Sequence, residues 1–412
     1  MSDAWQLSAT EAARLIAARE LSSEELVSSC LERVAAREPE LRAWAHLDSE
    51  AALAQARERD GEPARGPLHG IPVGVKDVID TADMPTAYGS PIYAGHRPER
   101  DADCVTSLRE AGAVVLGKTV TTEFATYEPP PTVNPHDPGR TPGGSSSGSA
   151  AAVGAGMVPL AFGTQTAGSV IRPASFCGIA GFKPAHGWRS TAGIKRLSER
   201  LDTLGLLARS VEDAALLGGF DAPQPRAGRL AFCRTPWWDE VEDGGRAAFD
   251  DAVGRLGATE LELPPQFAGL PAAQETAMAF DVARNLEPEW REHRDLLSDA
   301  MREYIERGRE VTAEAAEAAV AVGERCRSAF PDVVAGFDAL LVPGVLGEAP
   351  LRSEGHTGNP LLCRAWTFLG VPAISVPGLV GPAGMPIGVQ VVGLEARGLL
   401  GVAAWAEGLL RG

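Results

Sequence analysis

The sequence predicts an α/β fold with a largely buried sheet, and three observations carry that prediction. From about residue 70, short β-branched runs alternate with glycines and helical patterns, Ile71–Val78 and Val114–Leu116 being the first such runs. The 412 residues are 44% hydrophobic and 23% charged, an ordinary globular balance with enough chain to bury a large core. The longest near-apolar stretch, residues 150–163, is broken by three glycines and Pro159. It falls short of the roughly 20 residues that span a bilayer, so no transmembrane helix is expected.

Charge and composition narrow the function. Acidic residues outnumber basic ones, 55 to 38, for a formal net charge of −17. No basic face is implied that could neutralise a run of phosphates, and nucleic acid is not an expected partner. The residues from Met1 to Leu15 lack a basic start followed by an apolar block and a small-residue cleavage site, so the cytoplasm is the expected compartment. Six cysteines without a C-x-x-C pair read as buried thiols. Seven scattered histidines without an H-E-x-x-H pattern predict no metal site, and no cofactor is expected.

The elements follow in chain order. Ser8 with Glu11, and Ser22 with Glu25, have capping-box spacing and open two amphipathic helices. The strand at Ile71–Val78 precedes a helix near Val105–Ala111 and the strand at Val114–Leu116. Between Tyr127 and Ser149, 14 of 23 residues are Pro, Gly or Ser, the composition of a flexible linker. Yet the segment runs directly into a small-residue helical stretch at 149–156 and an extended run at 157–163, which a linker between independent domains should not do. Later strands are predicted at Arg229–Phe232, at Leu261 and Leu263 alternating with Glu260 and Glu262, at Ala339–Val342, at Ala373–Val376 and at Ile387–Val392. The stretch from about Gln274 to Phe330 reads as helices inserted to cover one side of the sheet.

Two motifs match formally and fail on context. Gly112 to Thr119 satisfies G-x-x-x-x-G-K-[ST], but a helical pattern precedes it and its variable positions are Ala-Val-Val-Leu, a buried strand by propensity. Gly144 to Gly148 satisfies G-x-S-x-G, yet Pro142 and the Pro-rich segment upstream exclude the apolar strand that a nucleophile elbow at Ser146 requires. What remains is a Ser/Gly loop, a second Gly/Thr/Ser loop ending in Ser169, and Lys76 on an apolar strand. A buried ammonium is expensive unless paired or neutralised. Lys76 therefore either forms a salt bridge, with Asp77 or Asp80 as candidates, or is held neutral by desolvation and serves as a general base.

These residues resemble the amidase signature hydrolases. The shared block runs from Pro142-Gly143-Gly144-Ser145-Ser146-Ser147-Gly148-Ser149 through Gly163-Thr164-Gln165-Thr166-Ala167-Gly168-Ser169 to Phe176 and Pro184. The likeness extends to the strand around Lys76, to Gly117-Lys118-Thr119, to Glu123-Phe124 and to Met385–Gln390. Within the family the chain is similar to the small malonamidase type, on Gly-Thr-Gln-Thr, Ser-Val-Ile-Arg-Pro and chain length.

The resemblance implies a three-layer α/β/α fold with a mixed central sheet, one domain over 1–412 with its core at about 68–210, and the helical insertion at about 274–330. It implies a metal-independent triad of Ser169 as nucleophile, Ser145 on a cis peptide as bridge, and Lys76 as base. It also implies oxyanion donors at Thr166, Ala167 and Gly168 and a substrate contact at Gln165. Many family members have Asp at the position of Gln165 and Gly at that of Ala167, and their arginine follows the nucleophile by two positions. Here Arg172 follows by three, and it either ties down loop carbonyls or grips a substrate carboxylate such as that of malonamate. The expected reaction is hydrolysis of a small carboxamide through an acyl-serine. An amidotransferase-type subunit feeding ammonia to a partner is the alternative within the family. The chain's shortness and lack of an obvious docking extension point away from it. A nucleotide-binding protein using Gly112–Thr119 is the alternative from another class, and the sequence leaves room for a homodimer.

Overall fold

A computed structural model describes residues 3–126 and 128–412. Met1 and Ser2 of the amino-terminal reading, and Tyr127 at the head of the Pro/Gly/Ser segment, lie outside them. Among the described residues, eleven strands form one mixed sheet flanked by helices. The strands are β1 (Trp44–Leu47), β2 (Pro72–Lys76), β3 (Val114–Thr119), β4 (Leu160–Gln165), β5 (Ala180–Lys183), β6 (Thr203–Ala208), β7 (Leu230–Phe232), β8 (Thr259–Glu260), β9 (Ala339–Pro343), β10 (Ala373–Val380) and β11 (Pro386–Val392). Their spatial order is β1-β3-β2-β4-β6-β5-β10-β11-β9-β7-β8. Pairing is parallel within β3-β2-β4 and within β9-β7-β8, and antiparallel elsewhere. Every residue of β2, β3, β4 and β6 is buried, as in strands covered on both faces.

Local chemistry sets the helix starts. Ser8 Oγ accepts the Glu11 N–H ahead of Ala9–Ala17, and Ser22 and Glu25 close a reciprocal capping box ahead of Ser23–Leu41. The small residues after the Ser/Gly loop form a helix, Ser147–Gly154, and the chain then returns directly to the sheet as β4. The Pro/Gly/Ser segment is thus a loop within the fold. The stretch from Gln274 to Phe330 is helical, beginning within Leu270–Asn285 and ending within Ala313–Val333. All six cysteines are free and buried. Among the described residues no helix is long and apolar enough to cross a membrane.

One expectation needs correction. The strand predicted through Leu261 and Leu263 is confined to Thr259–Glu260. The Leu261 N–H still reaches the Phe232 carbonyl at 2.8 Å, but Pro264 and Pro265 follow and cannot donate to a ladder. The formal phosphate-loop match at Gly112–Thr119 is strand β3 over Val114–Thr119, as its propensity predicts, which leaves the nucleotide-binding alternative without its loop. Lys118 is wholly buried, donates to the Ile79 carbonyl and Thr86 Oγ1, and lies 3.5 Å from Asp77.

Candidate active site

Strand register brings the chemistry to one edge of the sheet. Strands β2 and β4 are parallel, with Val75 opposite Phe162, so their carboxyl ends finish together. Strand β6 runs antiparallel to β4 with Thr203 opposite Gln165, which sets Asp202 at the same edge. The crevice outside the carboxyl ends of parallel strands is where open α/β sheets bind ligands.

Lys76 ends β2 fully buried, and its Nζ lies 2.8 Å from Ser145 Oγ and 2.8 Å from Thr164 Oγ1. Burial holds its pKa well below the ordinary lysine range; nearby Asp202 draws it back up and Arg172 pushes it further down. The salt bridge to Asp77 is not formed by Lys76, because Asp77 pairs with Lys118. The Gly144–Ser145 peptide is cis. The neighbouring serines secure the loop: Ser146 Oγ lies 3.3 Å from both the N–H and the carbonyl of Thr164, Ser147 donates to the Gly143 carbonyl and Ser149 to the Phe162 carbonyl. Ser146 is therefore buried against β4, which is not the exposed position of an elbow nucleophile.

The second loop, 166–170, links β4 to the short helix Ile171–Phe176 and carries Ser169, which is 8% exposed. Among the described residues no hydrogen bond joins Ser169 Oγ to Ser145, so the structure links two of the three triad positions directly. Thr166 Oγ1 donates to Asp202 at 2.7 Å, and Asp202 also accepts the N–H groups of Leu197 and Ser198. Burial raises the Asp202 pKa to about 6 against those hydrogen bonds. A small cavity opens beside Thr164, Thr166 and Asp202 and is bounded by Lys195. Lys195 pairs with Glu289 and lies over the rings of Tyr88, Tyr93 and Phe124. The larger cleft between Ala13–Ser22 and Arg59–His69 holds none of these groups.

The two residues expected at the substrate, Gln165 and Arg172, both have partners within the protein. Gln165 is buried, with Oε1 accepting the N–H groups of Val170 and Ile171 and Nε2 donating to Thr367. Both ends of its amide hold protein groups. Arg172 directs Nη2 to the Gly144 carbonyl at 2.6 Å and Nε to the Thr357 carbonyl at 3.3 Å, contacts of the loop-tying kind. The sequence reading missed Thr164 and Asp202. Asp202 carried a signal, a lone acid just before an apolar run, whereas Thr164 carried none beyond its place in the shared block.

Residues 25–219 match the family model described as Amidase. The chain is 44% identical over 310 residues to the A subunit of glutamyl-tRNA(Gln) amidotransferase from Chloroflexus aggregans, covering 66% of this chain and 63% of that protein. It spans 48–63% of the length of such curated relatives. Among solved structures, one described as an amidase superposes with a TM-score of 0.88 at 32% identity, covering 98% of this chain and 99% of the other. The peptide amidase PAM bound to chymostatin superposes with a TM-score of 0.85 at 31% identity, covering 98% and 97%.

Proposed function

The chain belongs to the amidase family, and on that premise we propose that it cleaves the C–N bond of a small carboxamide through an acyl-Ser169 intermediate, releasing ammonia. The observation that carries this reading is the buried Lys76 amine 2.8 Å from Ser145 Oγ at the sheet edge where the 166–169 loop begins. A serine hydroxyl is a weak nucleophile and an amide a poor electrophile, so a base must take the proton as the new bond forms. Neutral Lys76 accepts the proton of Ser145, which takes that of Ser169 as its Oγ adds to the carbonyl carbon. The tetrahedral oxyanion rests on backbone N–H groups of the loop. The proton then passes to the leaving nitrogen, the C–N bond breaks and ammonia departs. Water adds to the ester through the same relay and the carboxylic acid leaves.

A second reading is the one that the curated relatives back better than a free amidase. Similarity to amidotransferase A subunits favours a chain that performs this chemistry and hands ammonia to a partner enzyme instead of solvent. The acyl group is a separate matter: a malonamate-like half-amide depends on Arg172, whose contacts with two loop carbonyls support a structural role instead.

The test is ammonia release from a panel holding glutamine, malonamate, a neutral amide of similar length and a peptide amide, with Ser169→Ala as control. Turnover of a small carboxamide by the chain alone supports the free amidase. Release that needs a co-purifying protein supports the amidotransferase. Absence of release from every amide under both conditions, or turnover by Ser169→Ala, sinks the acyl-serine mechanism. Arg172→Ala should lose malonamate turnover selectively if the guanidinium binds the carboxylate, and lose both substrates equally if it ties the loop.

A further inference from the structure

The oxyanion loop consists of small residues whose peptides could face either way, since Gly168 has no side chain to restrict it. Something must hold its carbonyls out of the pocket. In a planar trans peptide the C=O of one residue and the N–H of the next point in opposite directions. The direction of each loop N–H is therefore set by whatever binds the preceding carbonyl.

Three successive carbonyls are bound. Gln274 Nε2 donates to the Thr166 carbonyl at 2.9 Å, Thr367 Oγ1 donates to the Ala167 carbonyl at 2.7 Å, and the Arg172 N–H donates to the Gly168 carbonyl at 3.0 Å. The N–H groups of Ala167, Gly168 and Ser169 are thereby turned the other way, and among the described residues no acceptor meets them. Both side-chain donors are buried, and neither has a choice of orientation. The Gln274 Oε1 is taken by the Arg364 guanidinium, itself paired with Glu275, so only the NH₂ end can face Thr166. The Thr367 oxygen accepts from Gln165 Nε2, so its single proton goes to Ala167.

We infer that Gln274 and Thr367 are positioning residues that latch these two carbonyls and so aim the N–H groups of Ala167 and Gly168, two of the three oxyanion donors that the resemblance implies. Gln274 comes from the helix Leu270–Asn285 and Thr367 from Leu361–Phe368. The helical stretch that reads as a cover for the sheet thus reaches into the catalytic loop. Loss of either latch lets a carbonyl swing toward the developing negative charge, an effect confined to the transition state.

The inference rests on the acyl-serine reading, and the experiment separates the two. Thr367→Val and Gln274→Met remove a donor at nearly constant volume, and Thr367→Ser restores the hydroxyl. Each loss variant should lower kcat by about tenfold to hundredfold, with KM within about twofold. Affinity for a peptide-aldehyde or boronate transition-state analogue should fall in parallel, and Thr367→Ser should recover most of the rate. Wild-type kcat in both loss variants, a change in KM alone, or no recovery in Thr367→Ser would overturn the latch. If Ser169→Ala is inactive in the same assay, that failure leaves the acyl-serine reading intact; if Ser169→Ala turns over, it is that reading which fails.

Discussion

Replacing Gln165 with methionine separates two roles that the sequence alone could not distinguish. The side chain is 1% exposed; its Oε1 accepts from Val170 N–H at 2.8 Å and Ile171 N–H at 3.1 Å, and its Nε2 donates to Thr367 at 2.9 Å. Methionine nearly preserves the volume, so the cavity contribution is small. Two buried N–H donors lose their acceptor at about 1–3 kcal/mol each, and relief from burying an amide offsets about 1 kcal/mol, leaving a net loss of about 1–5 kcal/mol. Val170 and Ile171 directly follow Ser169, so the nucleophile should drift and kcat should fall by about tenfold to hundredfold. Urea unfolding midpoints and steady-state ammonia release measure the two effects on one preparation. A higher KM with unchanged stability and kcat would restore Gln165 to the substrate and refute the reasoning.

Other perturbations test the remaining parts. Ser169→Ala and Lys76→Ala should each abolish turnover and Ser145→Ala should cripple it, with the double variant of Lys76 and Ser145 little worse than either single because the groups act as one unit; near-normal rates in folded Lys76→Ala would remove the base. Since Lys76 acts when neutral and burial lowers its pKa, the rate should rise with pH along a limb below the ordinary lysine range. Ionised Asp202 draws that pKa up, so Asp202→Asn should move the limb to lower pH, and an unmoved or upward-shifted limb in the pH–rate profile contradicts the assignment. Gly205→Ala would set a Cβ 2.1 Å from Val170 Cγ2, beside the nucleophile loop; it should cost about 1–3 kcal/mol in urea unfolding and reduce kcat, whereas wild-type behaviour would mean that Val170 yields freely.

Features under short-range control were legible in the chain itself. Serine N-caps started the first two helices, with a full capping box at the second, β-branched runs marked β2, β3 and β11, and the isolation of Lys76 on an apolar strand raised its desolvation before any contact was known. Strand β6, Thr-Leu-Gly-Leu-Leu-Ala, has no β-branched residue beyond its first; its pairing with β4 and β5 makes it a strand. The uses of Gln165, Asp202, Gln274 and Thr367 emerged only from long-range packing. Gln165 meets Thr367 across 202 positions of chain and Gln274 meets Thr166 across 108. A polar residue in a sequence shows that it can donate or accept a hydrogen bond. Which carbonyl or N–H it serves depends on the packing of helices onto the sheet edge, and no local pattern encodes that packing.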